Sequence, residues 1–171
     1  MSAPAESARR PSAGRRRTAS RLAAVQALYQ VELAHAPVEN VIREFVLHRL
    51  GREGDGERFG DADPALFGDL VRGAAERQDE LDHLISSVLA PDWPLDRLET
   101  VLRAILRVGV YELLAREDVP VPVVISEYLD ICHAFYSGKE PALLNGVLDR
   151  LAHTLRPDEF AKGDRDGGAP S

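Results

Sequence analysis

The sequence predicts an all-α protein. Helix-forming residues dominate, apolar residues recur at three- and four-residue spacing along most of the chain, and proline and glycine cut it into segments of helical length. Of its 171 residues 44% are hydrophobic, enough to build a core, and only 6% are aromatic, which disfavours a β-rich body. About seven helices are expected in a body spanning residues 18–156, after a flexible basic arm over residues 1–17 and before a disordered tail over 157–171.

Thr18 or Ser20 can cap a first helix whose apolar face is Leu22, Val25, Leu28, Tyr29 and Leu33, and Pro37 ends it. A second helix, roughly 38–50, turns Val38, Val41, Ile42, Phe45 and Val46 inward, and the glycines between Gly51 and Gly60 make a loop. Asp63 before Pro64 is an N-cap followed by proline at the first helical position, so a third helix starts there and runs to about Gln78 on Leu66, Phe67, Leu70, Val71 and Ala74. The fourth buries Leu81, Leu84, Ile85, Val88 and Leu89 before a corner of Pro91, Trp93 and Pro94. From about 95 to 116 the chain is apolar nearly all round, the mark of a central buried helix. Pro120 and Pro122 open a sixth helix carrying Ile125, Leu129, Cys132 and Phe135. Pro141 starts a seventh on Leu143, Leu144, Val147, Leu148 and Leu151.

A single cysteine, Cys132, forms no internal disulfide and no multi-cysteine zinc site, which fits a reducing compartment. No apolar run of about 18 residues and no signal-like core is present, so a soluble, cytoplasmic protein without a membrane segment is expected. The net charge is −7, but it is unevenly spread. Residues 1–21 hold six arginines against Glu6 alone, a local +5, which leaves −12 on the rest. A basic arm on an acidic body calls for two partners of opposite charge, an anion for the arm and a basic surface for the body.

Enzyme chemistry finds little support. Glu80 with His83 and Asp130 with His133 have the three-residue spacing of helical metal ligands, which must project into the bundle. At 100° per residue His83 points away from the face of Leu81, Leu84, Ile85 and Val88, and His133 joins Ser126, Asp130 and Ser137 in a polar stripe. Cys132 sits on an apolar face where a thiol is inert, and Gly51 to Gly60 contains neither GxGxxG nor GKS/T. No catalytic residue, metal or cofactor is expected. His35, His48 and His153 are read as structural or solvated.

Three segments in order carry a resemblance: Ala24-Val25-Gln26-Ala27-Leu28-Tyr29-Gln30 after the arginines, Leu106-Arg107-Val108-Gly109-Val110-Tyr111-Glu112-Leu113 with Asp118-Val119-Pro120, and Asn145-Gly146-Val147-Leu148-Asp149. Together they resemble the NusB family over residues of about 15–157. The resemblance implies seven helices in two packed halves and a role in transcription antitermination and ribosomal RNA synthesis. It further implies binding of boxA RNA as a heterodimer with NusE, a small-subunit ribosomal protein, within the RNA polymerase antitermination complex.

By that resemblance Arg15, Arg16, Arg17 and Arg21 stand where the family's RNA-binding arm does, and Tyr29 lies near that surface or is a core residue with its hydroxyl at the edge. Glu99, Leu102 and Arg103 fall in the region resembling the NusE-facing side, although Glu99 and Arg103 equally suit an i, i+4 surface pair. Arg107, Tyr111, Glu112, Asn145 and Asp149 are read mainly as fold determinants. The chain departs from the family pattern at Ser126, Lys139 and Leu143, the last standing where an aromatic is frequent. Alternatives are a protein-interaction module with a passive arm, and a stand-alone relative of the NusB-like domains that precede RNA methyltransferase domains. A complete methyltransferase is not expected in 171 residues lacking a glycine-rich cofactor motif. Self-association, seen in some relatives, would make a homodimer.

Overall fold

The computed structural model describes residues 12–50, 59 and 61–166, and among these it is helical without strands. The elements are α1 (Ala13–Ala34), α2 (Val38–His48), α3 (Pro64–Glu76), α4 (Gln78–Val88), a 3₁₀ turn (Leu95–Arg97), α5 (Thr100–Ala115), α6 (Val121–Phe135), α7 (Glu140–Leu155) and α8 (Pro157–Asp166).

Helix α5 is central, as its nearly all-round apolar character requires: every residue from Ala104 to Leu113 is buried, and the helix packs against α1, α3, α4, α6 and α7. On one side α1, α2 and α3 pack on one another, with Phe45 stacked on Phe67 at 5.4 Å between ring centres. Each such ring, fully buried, contributes roughly 1.5–3 kcal/mol. On the other side α4, α6 and α7 close over α5. Asp63 caps α3 as its sequence dictates, its carboxylate accepting from the Ala65 N–H at 2.9 Å.

Both expected chain boundaries move outward. Helix α1 begins at Ala13, five residues before the expected body, because Ser12 caps it by accepting from the Arg15 N–H at 3.2 Å and arginine is itself a good helix former. Arg15, Arg16 and Arg17 are thus helical, and the remainder of the expected arm, residues 1–11, lies outside the described residues. Helix α8 replaces most of the expected tail. Pro157 starts it, the Glu159 carboxylate accepts from the Val121 N–H at 3.1 Å, and Phe160 stacks on His153 of α7 at 3.6 Å. Residues 167–171 lie outside the described residues, as do Gly51, Gly54, Gly56 and Gly60 of the expected loop.

Helix α6 turns one position away from its expected phase. Val121, Val124, Tyr128, Ile131 and Cys132 are buried, while Ile125 and Leu129 are only half-buried, because the Tyr128 hydroxyl reaches in to donate to Glu112 at 2.8 Å. Leu33, Val46 and Phe135, expected in the core, are exposed at the ends of their stripes.

Candidate nucleic-acid interface

The first turns of α1 present Arg15, Arg16 and Arg17 to solvent, and among the described residues none of the three forms an ion pair. Three guanidiniums on successive positions fan over a little more than half a turn, a geometry that suits an anionic strand crossing the helix end.

The next turn of α1 fixes where they stand. Thr18 donates its hydroxyl to the Glu127 carboxylate of α6, at 3.0 and 2.9 Å from its two oxygens. Ser20 accepts from the Asp63 N–H at 2.8 Å, tying the same turn to the start of α3. Arg21 turns fully inward, only 2% exposed, and forks onto Glu112 of α5 through Nε at 2.6 Å and Nη2 at 3.1 Å, with Glu127 at 3.6 Å. Burial opposes the Arg21 charge, but Glu112 outweighs it and the guanidinium pKa lies above its ordinary value. Burial, reinforced by the Glu112 charge, also pushes the Tyr128 hydroxyl well up, so it remains a donor. Arg21 is therefore corrected from RNA contact to structural ion pair: its donors are consumed inside the bundle.

Farther along α1, Tyr29 is half-buried in a groove of about 520 Å3 that Gln26, Leu33, Arg49, Val101 and Phe135 also line. Leu33 is 64% exposed and Phe135 39%, so the groove has an apolar rim open to solvent. Glu99, exposed at the N-cap of α5, faces the Tyr136 hydroxyl, and burial with this carboxylate raises that phenol above its ordinary pKa.

Leu102 and Arg103 do not occupy an open face. Leu102 is 2% exposed and belongs to the core, since a helix apolar all round offers no phase by which to tell its outer edge. The Arg103 guanidinium pairs not with the Glu99 carboxylate but with that of Glu32 of α1 at 2.5 Å, and it also donates to the Leu98 carbonyl. Arg107 forks onto Asp82 of α4 at 2.8 and 3.0 Å and reaches Glu32 at 3.4 Å. This network walls a cavity of about 610 Å3 between α1, α4 and α5. Sequence reasoning missed Glu32, Asp82 and Glu127 and took Thr18 for a helix cap, because their partners are 25 to 109 residues away and leave no local trace.

Of the residues read as fold determinants, Arg107, Tyr111 and Glu112 are buried. Asn145 and Asp149 are instead exposed on α7, so core packing does not explain them. His83 and His133 point outward, and Cys132 is buried, its thiol pushed up to about 11 by burial and then Glu140. No described helix is long and apolar enough to cross a membrane.

The NusB family model matches residues 18–153. A transcription antitermination protein NusB from Brucella ovis is 51% identical over 146 residues, covering 85% of this chain and 85% of the relative. One from Rhodopseudomonas palustris is 47% identical over 148 residues, covering 86% and 88%. Among solved structures, T. maritima NusB superimposes with a TM-score of 0.69 at 29% identity, over 85% of this chain and 96% of that one. A crystal structure of the antitermination factors NusB and NusE in complex with dsRNA shares the fold, with a TM-score of 0.67 at 24% identity over 82% and 98% of the two chains.

Proposed function

Because the chain belongs to the NusB family, we propose that it is a transcription antitermination factor, a cytoplasmic binding protein and not an enzyme, that holds boxA RNA of ribosomal RNA transcripts together with NusE in the RNA polymerase antitermination complex. The observation that carries this reading is the exposed Arg15, Arg16 and Arg17 cluster on a helix anchored through Thr18, Ser20 and Arg21. Anchoring matters because a phosphate site set on a fixed helix loses less conformational freedom on binding than one on a free tail. The −12 outside residues 1–21 favours a basic ribosomal protein as the partner of the body as a whole. The groove around Tyr29, with its open rim of Leu33 and Phe135 and with Glu99 exposed at the start of α5, is assigned to that protein. Leu102, Arg103 and Arg21 support these surfaces from behind.

The test is a boxA RNA titration at several salt concentrations, with and without NusE. If three phosphates meet Arg15, Arg16 and Arg17, log affinity should fall against log salt with a slope of about −2 for a single strand. Replacing all three by Ala should flatten the slope and leave helicity intact. Unchanged slope and affinity in that variant would sink the assignment.

A further inference from the structure

Trp93, the protein's single tryptophan, is 39% exposed in the corner between α4 and α5. Its backbone N–H donates to the Ala90 carbonyl at 2.9 Å, and Pro91 and Pro94 flank it, so the indole is presented by a stiff turn. It forms one wall of a groove of about 250 Å3 whose other walls are Leu143, Val147 and Arg150 of α7, with Gly146 also on α7. That volume lies below the roughly 300 Å3 where pockets for drug-sized molecules begin, and suits a single ring system.

Two observations point to an occupant. Gly146 lies in the interior of α7, where glycine weakens a helix relative to alanine, yet a Cβ built there meets nothing within 4 Å. Packing within this chain does not require a bare backbone at 146; close approach of a ligand to α7 does. Second, no carboxylate lines the groove although the body is strongly acidic, while Arg150 does line it, its Nη1 steadied by donating to the Val88 carbonyl at 3.1 Å. An aromatic face, an apolar floor and one fixed guanidinium match a base with its attached phosphate.

We propose that Trp93, Gly146 and Arg150 form a stacking site for one unpaired nucleotide of an RNA strand, the base on the indole and the phosphate on Arg150. The proposal rests on the RNA-binding function above and adds a second foothold that the arginines of α1 do not provide. It also gives this chain an aromatic platform beside Leu143, from a different part of the sequence.

Because Trp93 is the only tryptophan, its emission reports on this groove alone. Titrating the full chain with single-stranded boxA RNA should quench it in step with binding. Trp93→Ala should weaken RNA binding roughly tenfold with an unchanged salt slope, whereas Trp93→Phe should retain most of the affinity. Gly146→Ala should melt no lower than wild type and still bind RNA more weakly, an outcome that separates the site from a folding defect. RNA binding with the full arginine-dependent slope but constant emission, and with Trp93→Ala unaffected, would overturn the site while leaving the RNA function standing. Quenching by NusE without RNA would assign the groove to an apolar side chain of that protein and overturn it too. Absence of RNA binding by the wild type, with or without NusE, would remove the function and this site together.

Discussion

Gly73 of α3 lies directly against the ring of Tyr111 of α5: a Cβ at position 73 would stand 2.0 Å from Tyr111 Cζ and 2.3 Å from its hydroxyl oxygen. The contact lets the Tyr111 hydroxyl donate to Asp69 at 2.9 Å, and Arg116 holds the other oxygen of the same carboxylate at 2.9 Å. The tyrosine of the central motif is thus seated by an absent side chain on another helix.

Gly73→Ala is accordingly destabilising, although alanine is the better helix former. The ring must move and the bond to Asp69 is strained or lost, an overpacking cost of about 1–3 kcal/mol. Urea unfolding measures it, and a variant as stable as wild type would show that the ring has room to shift.

The Arg21–Glu112 pair predicts an asymmetry between single and double variants. Glu112→Gln leaves the buried Arg21 guanidinium with only the longer, 3.6 Å pairing to Glu127 and should cost up to about 3–5 kcal/mol. Adding Arg21→Met removes the stranded charge and should restore part of that loss. If the two changes are simply additive in denaturant titrations, the pair is not coupled. Arg21→Met alone should leave the salt slope of RNA binding unchanged.

Alkaline pH should unfold the protein earlier than its surface charge alone would. Burial first, then Asp69, raises the Tyr111 hydroxyl from 10.0 to about 12, and burial with Glu112 raises Tyr128 well above its ordinary value. Both groups are neutral in the form the fold prefers. Their contribution is therefore complete below about pH 10 and is lost as pH rises through the folded values. Urea midpoints should decline from about pH 10 upward, and less so in Tyr128→Phe. Tyrosinate absorbance from Tyr128 should appear together with the loss of helicity. Cys132, raised to about 11 from 9.0, adds in the same direction, so the comparison is cleanest in a Cys132→Ala background.

Local chemistry made much of the fold legible. Asp63-Pro64 marked the start of α3, the all-round apolar run marked α5, and helical phase turned His83 outward. Exposure of the expected site residues was legible only where the signal was local, as in the run Arg15-Arg16-Arg17. Arg21 carries the same charge four residues on, and nothing near it reveals that its partner is 91 positions away. Leu102 failed for a different reason: in a helix without a polar face, periodicity gives no inside and outside. Helix α8 had its proline and acidic first turn in view, but its anchors, Val121 and His153, act through tertiary contact.

The continuity of α1 fixes a spacing. One helix of 22 residues carries Arg17 near one end and Tyr29 in the groove toward the other, 12 positions apart and so about 18 Å along the axis. The helix is locked by Glu127 and Glu112 on Thr18 and Arg21 just past Arg17, and by Arg103 and Arg107 on Glu32 just past Tyr29. An RNA and a protein seated as proposed at these two places would therefore be held at a set distance and a set rotation, with α1 as the gauge. A single residue inserted between them would lengthen it by only about 1.5 Å but twist one seat about 100° away from the other. The register of α1, more than the affinity of either seat, decides whether both can be filled by one assembly.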